Sequence, residues 1–576
     1  MTMKWALGWM EKQRWKLWFA ILLNIIAILL MTYEPYIFQE IIDDVLMPQE
    51  FDRLFTLLLK AFSVGLLFMV FRYFSNILSE QASQHAIYRL RSELFDKILR
   101  QSHDFFRNNR TGDLINKCSS DVDMMRHFIC WVFPKSIEAI LMILAVLVVF
   151  LSISPVYTLI LFSVTPFTLI VASKLGKTVR PAFSEAREQL SKLNTVVQEN
   201  ISGNRVVKAF VREDFEMQKF QKENMAYRDK NIRAIYIWLK YGPIIESIST
   251  LLSMLNLVVG GVMVALGHIS LGQLSIFLSL AWALNEPMNM IGALVNDSQR
   301  FNASVEKIME LYYSKPKIKS PELPRGAEKI RGDISFRSVT LKYGPNVVLD
   351  GINLDIKAGQ TIGIMGPTGS GKTSLVSLIP RFIDVTEGAV LIDNINVENY
   401  DLQSLRKQIG ITMQDVFLFS DTVESNIAYG VPDCPMERIQ SAATAADADS
   451  FVREMPDGYD TIVGERGTGL SGGQKQRISL ARALATEAPI LILDDTTSAV
   501  DMETEKYIQE QLRKISDSQT TIIIAQRVSS VMHADCIYIL DNGRITESGT
   551  HEELLANRGY YYNTWLLQTG DVAKSV

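Results

Sequence analysis

Up to about residue 300 the chain alternates long apolar runs with charged stretches, and beyond that point the apolar residues come in short groups separated by turns. Six of the early runs, at residues 17–38, 54–78, 128–151, 156–175, 241–266 and 271–295, are each close to the twenty or so residues a bilayer-crossing helix needs. Their length fits helices rather than barrel strands, since backbone in lipid must satisfy its own hydrogen bonds. The connections at 79–127 and 176–240 are long, charged, rich in helix formers and nearly free of proline, so the pattern predicts spanning helices that continue far beyond the bilayer. The other connections are short.

Basic residues set the expected orientation. Lys4, Lys12, Arg14 and Lys16 precede the first span, whereas the next connection carries Glu40, Asp43, Asp44, Glu50 and Asp52. Positive charge stays on the cytoplasmic side, so the N-terminus and, six spans later, the soluble half are expected in the cytoplasm. No small-residue cleavage site follows the first span, which therefore reads as a retained anchor. The expected domains are 1–313 for the membrane half, a proline-marked linker at 314–331, and 332–576 for a nucleotide-binding half.

Composition adds limits. At 576 residues the chain exceeds a single core, and a net charge of −5 gives no sign of nucleic-acid binding. The cysteines Cys118, Cys130, Cys434 and Cys536 have no paired spacing and read as reduced thiols. Polar residues inside spans are costly and so are candidates for contact with a transported compound: Glu34, Glu138, Glu246, Trp282, Asn285 and Glu286, with Asn24 beside them. Helix ends near water or mutual pairing would also explain them, and buried carboxylates alone hint weakly at cationic cargo.

In the soluble half, Thr361-Ile362-Gly363-Ile364-Met365 leads into Gly366-Pro367-Thr368-Gly369-Ser370-Gly371-Lys372-Thr373 and then a helical run. This is GxxxxGK[ST] in its strand–loop–helix setting. Backbone N–H groups cradle phosphates, Lys372 reaches the outer phosphates of ATP, and Thr373 holds magnesium. Gln414 and Asp494 end apolar strands and suit the magnesium shell, and Gln526 ends a further strand in the same row. Tyr343 ends a strand where an aromatic ring either stacks on a base or simply packs. Leu470-Ser471-Gly472-Gly473-Gln474 opens a helix at a glycine-rich turn, a natural anion site.

P-loop, then LSGGQ, then an apolar strand ending in aspartate, after six spans, resembles an ATP-binding cassette half-transporter of the exporter type over nearly the whole chain. Phe105-Phe106 with Thr111-Gly112-Asp113-Leu114, and Gly203 with Val206 to Phe210, look like the family's two intracellular loops. Tyr343 matches its base-stacking aromatic, Gln414 its Q-loop, Gly464-Glu465-Arg466-Gly467 the exporter X-loop, and Ser498-Ala499-Val500-Asp501 its D-loop. The resemblance implies a head-to-tail dimer in which ATP sits between one chain's P-loop and the other's LSGGQ, and closure turns the membrane helices outward. The fold class expected is a membrane α-helical bundle fused to an α/β P-loop domain.

Two positions depart from the family. Glutamate, which orients the attacking water, is replaced by Asp495, shorter by one methylene or about 1.5 Å. The switch histidine is replaced by Gln526, which carries no proton across the range where histidine does. A misplacement of about 1 Å costs on the order of a hundredfold in rate. With LSGGQ intact, the pair predicts a chain whose own site binds ATP and hydrolyses it poorly while its signature completes a competent site on a second half-transporter. A heterodimer is favoured over a homodimer. Expected cargo is small and amphipathic, exported across a bacterial cell membrane in contact with lipid; the alternatives are a regulatory subunit that carries nothing itself, or a lipid or peptide exporter.

Overall fold

The computed structural model describes residues 2–163, 165–324, 329–516 and 519–569. They form two compact units, one comprising Met1–Ile98 and Gly112–Ser314, the other Leu99–Thr111 and Lys315–Val576. The short stretch Leu99–Thr111, an excursion between two long helical regions, thus belongs with the second unit.

The first unit is entirely helical. Leu54–Leu99 runs unbroken for 46 residues and Glu213–Ala265 for 53. At 1.5 Å per residue these are about 69 and 80 Å long, more than twice the roughly 30 Å of bilayer hydrocarbon. The extensions expected from sequence are therefore continuous helix. Among the described residues, Glu11–Leu46, Phe51–Leu99 and Thr111–Ile153 are long and apolar enough to cross a membrane, and shorter apolar helices occur at Ser253–Ala265 and Leu271–Ala281. Phe55, Phe62 and Met69 are 77%, 69% and 68% exposed along one helix. Such an apolar surface is stable against lipid and not against water. The apolar run expected at 156–175 is divided between Pro155–Phe162 and Thr165–Ser202, and Val164 lies outside the described residues.

Several polar residues inside this unit are paired across helices. The Tyr157 hydroxyl donates to the Asn256 side chain and, at 2.5 Å, to its carbonyl, while Asn256 Nδ2 donates to the Phe277 carbonyl at 3.2 Å. Buried donors without such acceptors would each cost a kcal/mol or more. Asp43 receives the Ser270 hydroxyl at 2.5 Å and the Gly272 N–H at 2.9 Å, tying the end of the first long helical stretch to the start of Leu271–Ala283. A Cβ at Gly272 would lie 2.6 Å from that carboxylate, so the approach needs glycine.

The second unit is built on two sheets. Strands β1 (Ile334–Tyr343), β2 (Asn346–Ile356), β4 (Glu387–Ile392) and β5 (Ile395–Asn396) form an antiparallel sheet in the order β2-β1-β4-β5. Strands β3 (Thr361–Met365), β6 (Ile409–Thr412), β7 (Ile490–Asp494), β8 (Thr520–Ile524), β9 (Cys536–Asp541) and β10 (Arg544–Gly549) form the other, ordered β10-β9-β3-β8-β7-β6. There β9, β3, β8, β7 and β6 run parallel and β10 closes one edge antiparallel. Every residue of β7 and β8 is buried, which explains the apolar runs Ile490–Leu493 and Ile522–Ile524 within them. Parallel strands bring their C-terminal ends to one edge, and that edge carries the motif residues.

Ile492 is fully buried at the centre of β7, between β6 and β8. Ile492→Ala is expected to lower the stability of this unit by about 2–5 kcal/mol. Thermal unfolding of the full chain in detergent checks this, as a downward shift of the transition carried by the second unit.

Candidate nucleotide site

The P-loop leaves β3 through Gly366, whose φ is +141°. A Cβ there would sit 2.0 Å from the Leu540 carbonyl oxygen, so no side chain fits. Gly371, with φ +105°, precedes the helix Lys372–Ser377, shorter than the run to Phe382 the sequence suggests. Residues 366–373 therefore curl into a cradle whose backbone lies open for phosphate oxygens. Lys372 Nζ donates to the carbonyls of Gly366 (2.9 Å) and Pro367 (2.7 Å), curling over its own loop. Burial lowers its pKa, while Asp494 and Asp495 pull it up.

Thr373 donates its hydroxyl to Asp494 Oδ2 at 2.8 Å. Asp494 is 4% exposed at the end of β7. Burial pushes its carboxyl above the ordinary range; the Thr373 bond opposes this, Asp495 adds to it and Lys372 opposes it again. A buried carboxylate beside a hydroxyl, a lysine and a glycine cradle suits a phosphate chain with a hard, oxygen-seeking cation. These residues fit ATP with magnesium. Lys372, Thr373, Gln414, Asp494, Asp495 and Gln526 all line one cavity of about 210 Å³, so the structure gathers there the strand-end residues of β3, β6, β7 and β8.

Asp495 is placed unusually. Its φ is +52°, a region few non-glycine residues adopt. Its N–H donates to the Ile524 carbonyl at 3.0 Å, and its carbonyl accepts from Gln476 Nε2 (3.3 Å) and the Ser498 hydroxyl (3.1 Å). Gln476 also receives the Ala499 N–H at 3.0 Å. Arg527, next to Gln526, donates to the carbonyls of Ser498 and Val500 and to the buried carboxylate of Glu505. Gln476, Arg527 and Glu505 escape sequence reading because their roles depend on neighbours about twenty residues or more away. Arg527's place directly after a strand end was the one signal available.

The LSGGQ stretch is built differently. Ser471 caps the helix Gly472–Leu484, accepting the Gln474 N–H, while the Gln474 side chain accepts the Ser471 N–H at 2.9 Å. Among the described residues, none of Leu470 to Gln474 lines the P-loop cavity. Asp501 is also absent from it; its carboxylate caps the helix Met502–Ser516 through the Glu503 and Thr504 N–H groups, which hold it below its usual pKa. Tyr343 lies instead on a neighbouring cavity of about 550 Å³, which also touches Thr373 and Ser374.

In the helical unit, Glu138 accepts from Lys135 (2.9 Å), Arg72 (3.2 Å) and Asn24 (3.4 Å). All four residues line a cavity of about 260 Å³. The carboxylate is already matched by cations of the same chain, which removes the reason for reading it as a site for cationic cargo. Glu34 is half-buried on the helix Arg14–Glu40. The side chains of Glu246, Trp282, Asn285 and Glu286 lie outside the described residues.

Membrane-length helices joined to a P-loop ATPase unit define an ATP-driven membrane translocase. Residues 17–288 match the family described as the ABC transporter transmembrane region, and residues 349–498 match the ABC transporter family. The chain is 38% identical over 95% of both sequences to an uncharacterized ABC transporter ATP-binding protein, YknU, of Bacillus subtilis. It is 34% identical, over 96% of both, to an ATP-dependent lipid A-core flippase of Desulfotalea psychrophila. A putative multidrug export ATP-binding/permease protein of Bacillus subtilis, YgaD, is 32% identical over 98% of this chain and 99% of its own length. The solved structure of a bacterial Atm1-family ABC exporter with ATP bound superposes with a TM-score of 0.80 at 25% identity, covering 96% of this chain and 98% of that one. The chain belongs to the ATP-binding cassette transporter family. It is an exporter of the multidrug and lipid-flippase type that hydrolyses ATP with magnesium.

Among the described residues lining the cavity Lys372 is the one lysine or arginine, and a charge-assisted bond of that kind contributes about 1.5–3 kcal/mol. Lys372→Ala is expected to weaken magnesium–ATP binding by about ten- to a hundredfold in a filter-binding assay. Unchanged affinity would mean that phosphate is held elsewhere.

Proposed function

We propose that this chain is the weakly hydrolysing subunit of a heterodimeric exporter, carrying small amphipathic or drug-like compounds out of the cytoplasm by alternating access. The observation that carries the proposal is the anchoring of Asp495. Its backbone N–H and carbonyl are both engaged, to Ile524, Gln476 and Ser498, so the main chain has little freedom to advance and make up for the missing methylene. The carboxylate that should orient water stops about 1.5 Å short. Gln526, in the same cavity, has no titratable nitrogen to replace the family's histidine.

In this reading Gly366 to Lys372 cradle the phosphates, and Thr373, Gln414 and Asp494 hold the magnesium, which neutralises charge on the phosphate oxygens. Asp495 and Gln526 are the residues at the hydrolytic position, and they keep nucleotide bound longer than they help to cleave it. Leu470 to Gln474, standing outside this cavity, offer their helix start to a nucleotide on the partner, with Asp501 at the same interface. The basic residues before the first span support a cytoplasmic N-terminus and ATPase unit, and the bacterial relatives support a cell-membrane location. The cavity holding Asn24, Arg72, Lys135 and Glu138 is the best supported place for cargo, with polar groups set in an apolar wall. Glu34, Glu246, Trp282, Asn285 and Glu286 remain further candidates for that path.

The asymmetric assembly is tested by comparing variants in the assembled transporter. Asp495→Asn is expected to reduce ATPase no more than severalfold, whereas replacing the partner's glutamate at the matching position reduces it by about a hundredfold or more. Equal losses from the two would contradict the asymmetry. In the homodimer alternative both sites carry Asp495 and Gln526, so this chain assembles without a partner and hydrolyses ATP slowly at both.

A further inference from the structure

The family match leaves unexplained a contact at the edge of β1. The Arg107 guanidinium lies over the Tyr343 ring, 4.2 Å from its centroid. Tyr343 is half-buried and packs against the core that includes Leu341 and Leu349, so the ring has limited free surface and Arg107 occupies part of it. Arg107 comes from the short helix His103–Asn108, within the excursion that belongs to this unit.

Two further contacts, from Asp104 and from His103, tie that helix to the rest of the unit. Asp104 receives Lys317 at 2.5 Å, a bond that holds its carboxyl below the usual range, and it receives Arg107 itself at 3.3 Å. His103 stacks on Phe382 at 6.2 Å between centroids, and Arg406 covers the same Phe382 ring at 5.2 Å. Arg107, His103, Asp104, Tyr343, Thr373 and Ser374 border one cavity of about 550 Å³, and Thr373 and Ser374 also line the phosphate cavity. The space beside Tyr343 is therefore the space a base would enter when its phosphates lie on the P-loop.

We infer that Arg107 is an affinity-determining residue of the nucleotide site, holding the base position on Tyr343 until the purine of ATP displaces it. A guanidinium and a purine each need the ring at stacking distance, and one face admits only one of them. Nucleotide binding then exchanges a cation–π contact for base stacking, and it frees the helix His103–Asn108 from its hold on the ring. By linkage, whatever keeps that helix docked lowers ATP affinity by the same factor. The inference rests on Tyr343 being the base-stacking residue.

The test uses the full chain in detergent and equilibrium binding of a non-hydrolysable ATP analogue with magnesium. An exposed cation–π contact is worth a factor of about two to five, so Arg107→Ala should tighten binding by about that much. Tyr343→Ala should weaken it by about tenfold, as loss of one stacked base does. In the double variant the gain from removing Arg107 should vanish. Inorganic tripolyphosphate, which has no base, should bind Arg107→Ala and the unaltered chain equally. Arg107 is exposed, so its removal leaves the core intact. Unchanged or weaker analogue binding in Arg107→Ala, with Tyr343→Ala still harmful, overturns the inference and leaves the base-stacking reading standing. A gain that also appears with tripolyphosphate overturns it as well. If Tyr343→Ala has no effect, the base-stacking reading falls and the inference with it.

Discussion

The backbone of Asp495 is held from three directions, and much of the nucleotide-binding unit is arranged around that fixation. Its N–H is bound to the end of β8, and its carbonyl is bound to Gln476 on the helix that LSGGQ opens and to Ser498 just beyond it. Fixing the peptide fixes the root of the side chain, so the reach of the hydrolytic group depends on side-chain length alone. In the proposed dimer the same bonds join this chain's half of one ATP site to its half of the other. Arg527 and the buried Glu505 extend the bracing to Ser498 and Val500, so the segment between the two half-sites is held as one piece. Strained backbone of this kind persists only where its surroundings over-determine it.

The parts of the site that are local in sequence were legible from it. The P-loop, the strand-end Asp494 and the capped turn at Ser471 each depend on residues a few positions apart, and β7 and β8 announce burial on both faces by the apolar runs within them. The long helical extensions were equally plain, because charge and helix formers without proline leave few alternatives. What the sequence concealed depends on distant pairing. Nothing in residues 99–111 marks them as belonging with the second unit, since that follows from His103 meeting Phe382 and Asp104 meeting Lys317. Glu138 read only as a polar residue inside a span; of its partners Lys135 is three residues away, whereas Asn24 and Arg72 come from other helices and could not be assigned from sequence. Asp501 was expected at a nucleotide interface, and the fold also employs its carboxylate to cap a helix.

These pairings change the chemical picture of the membrane half. A carboxylate shared among an arginine, a lysine and an asparagine is a polar island in a largely apolar cavity wall. In the soluble half, the roles proposed for Asp495 and for Arg107 on Tyr343 concern opposite ends of one nucleotide, the terminal phosphate and the base. Under the proposed function, such a site holds ATP in a closed dimer while turnover proceeds at the partner's site.

The most direct measurement is the identity of the nucleotide this chain retains. The assembled transporter is incubated with magnesium and ATP labelled on the α-phosphate, freed of unbound nucleotide, denatured, and the bound label separated into ATP and ADP over time. The account predicts that the label remains mostly ATP for many times the turnover time of the assembled transporter. Recovery mostly as ADP on the timescale of that turnover would contradict it.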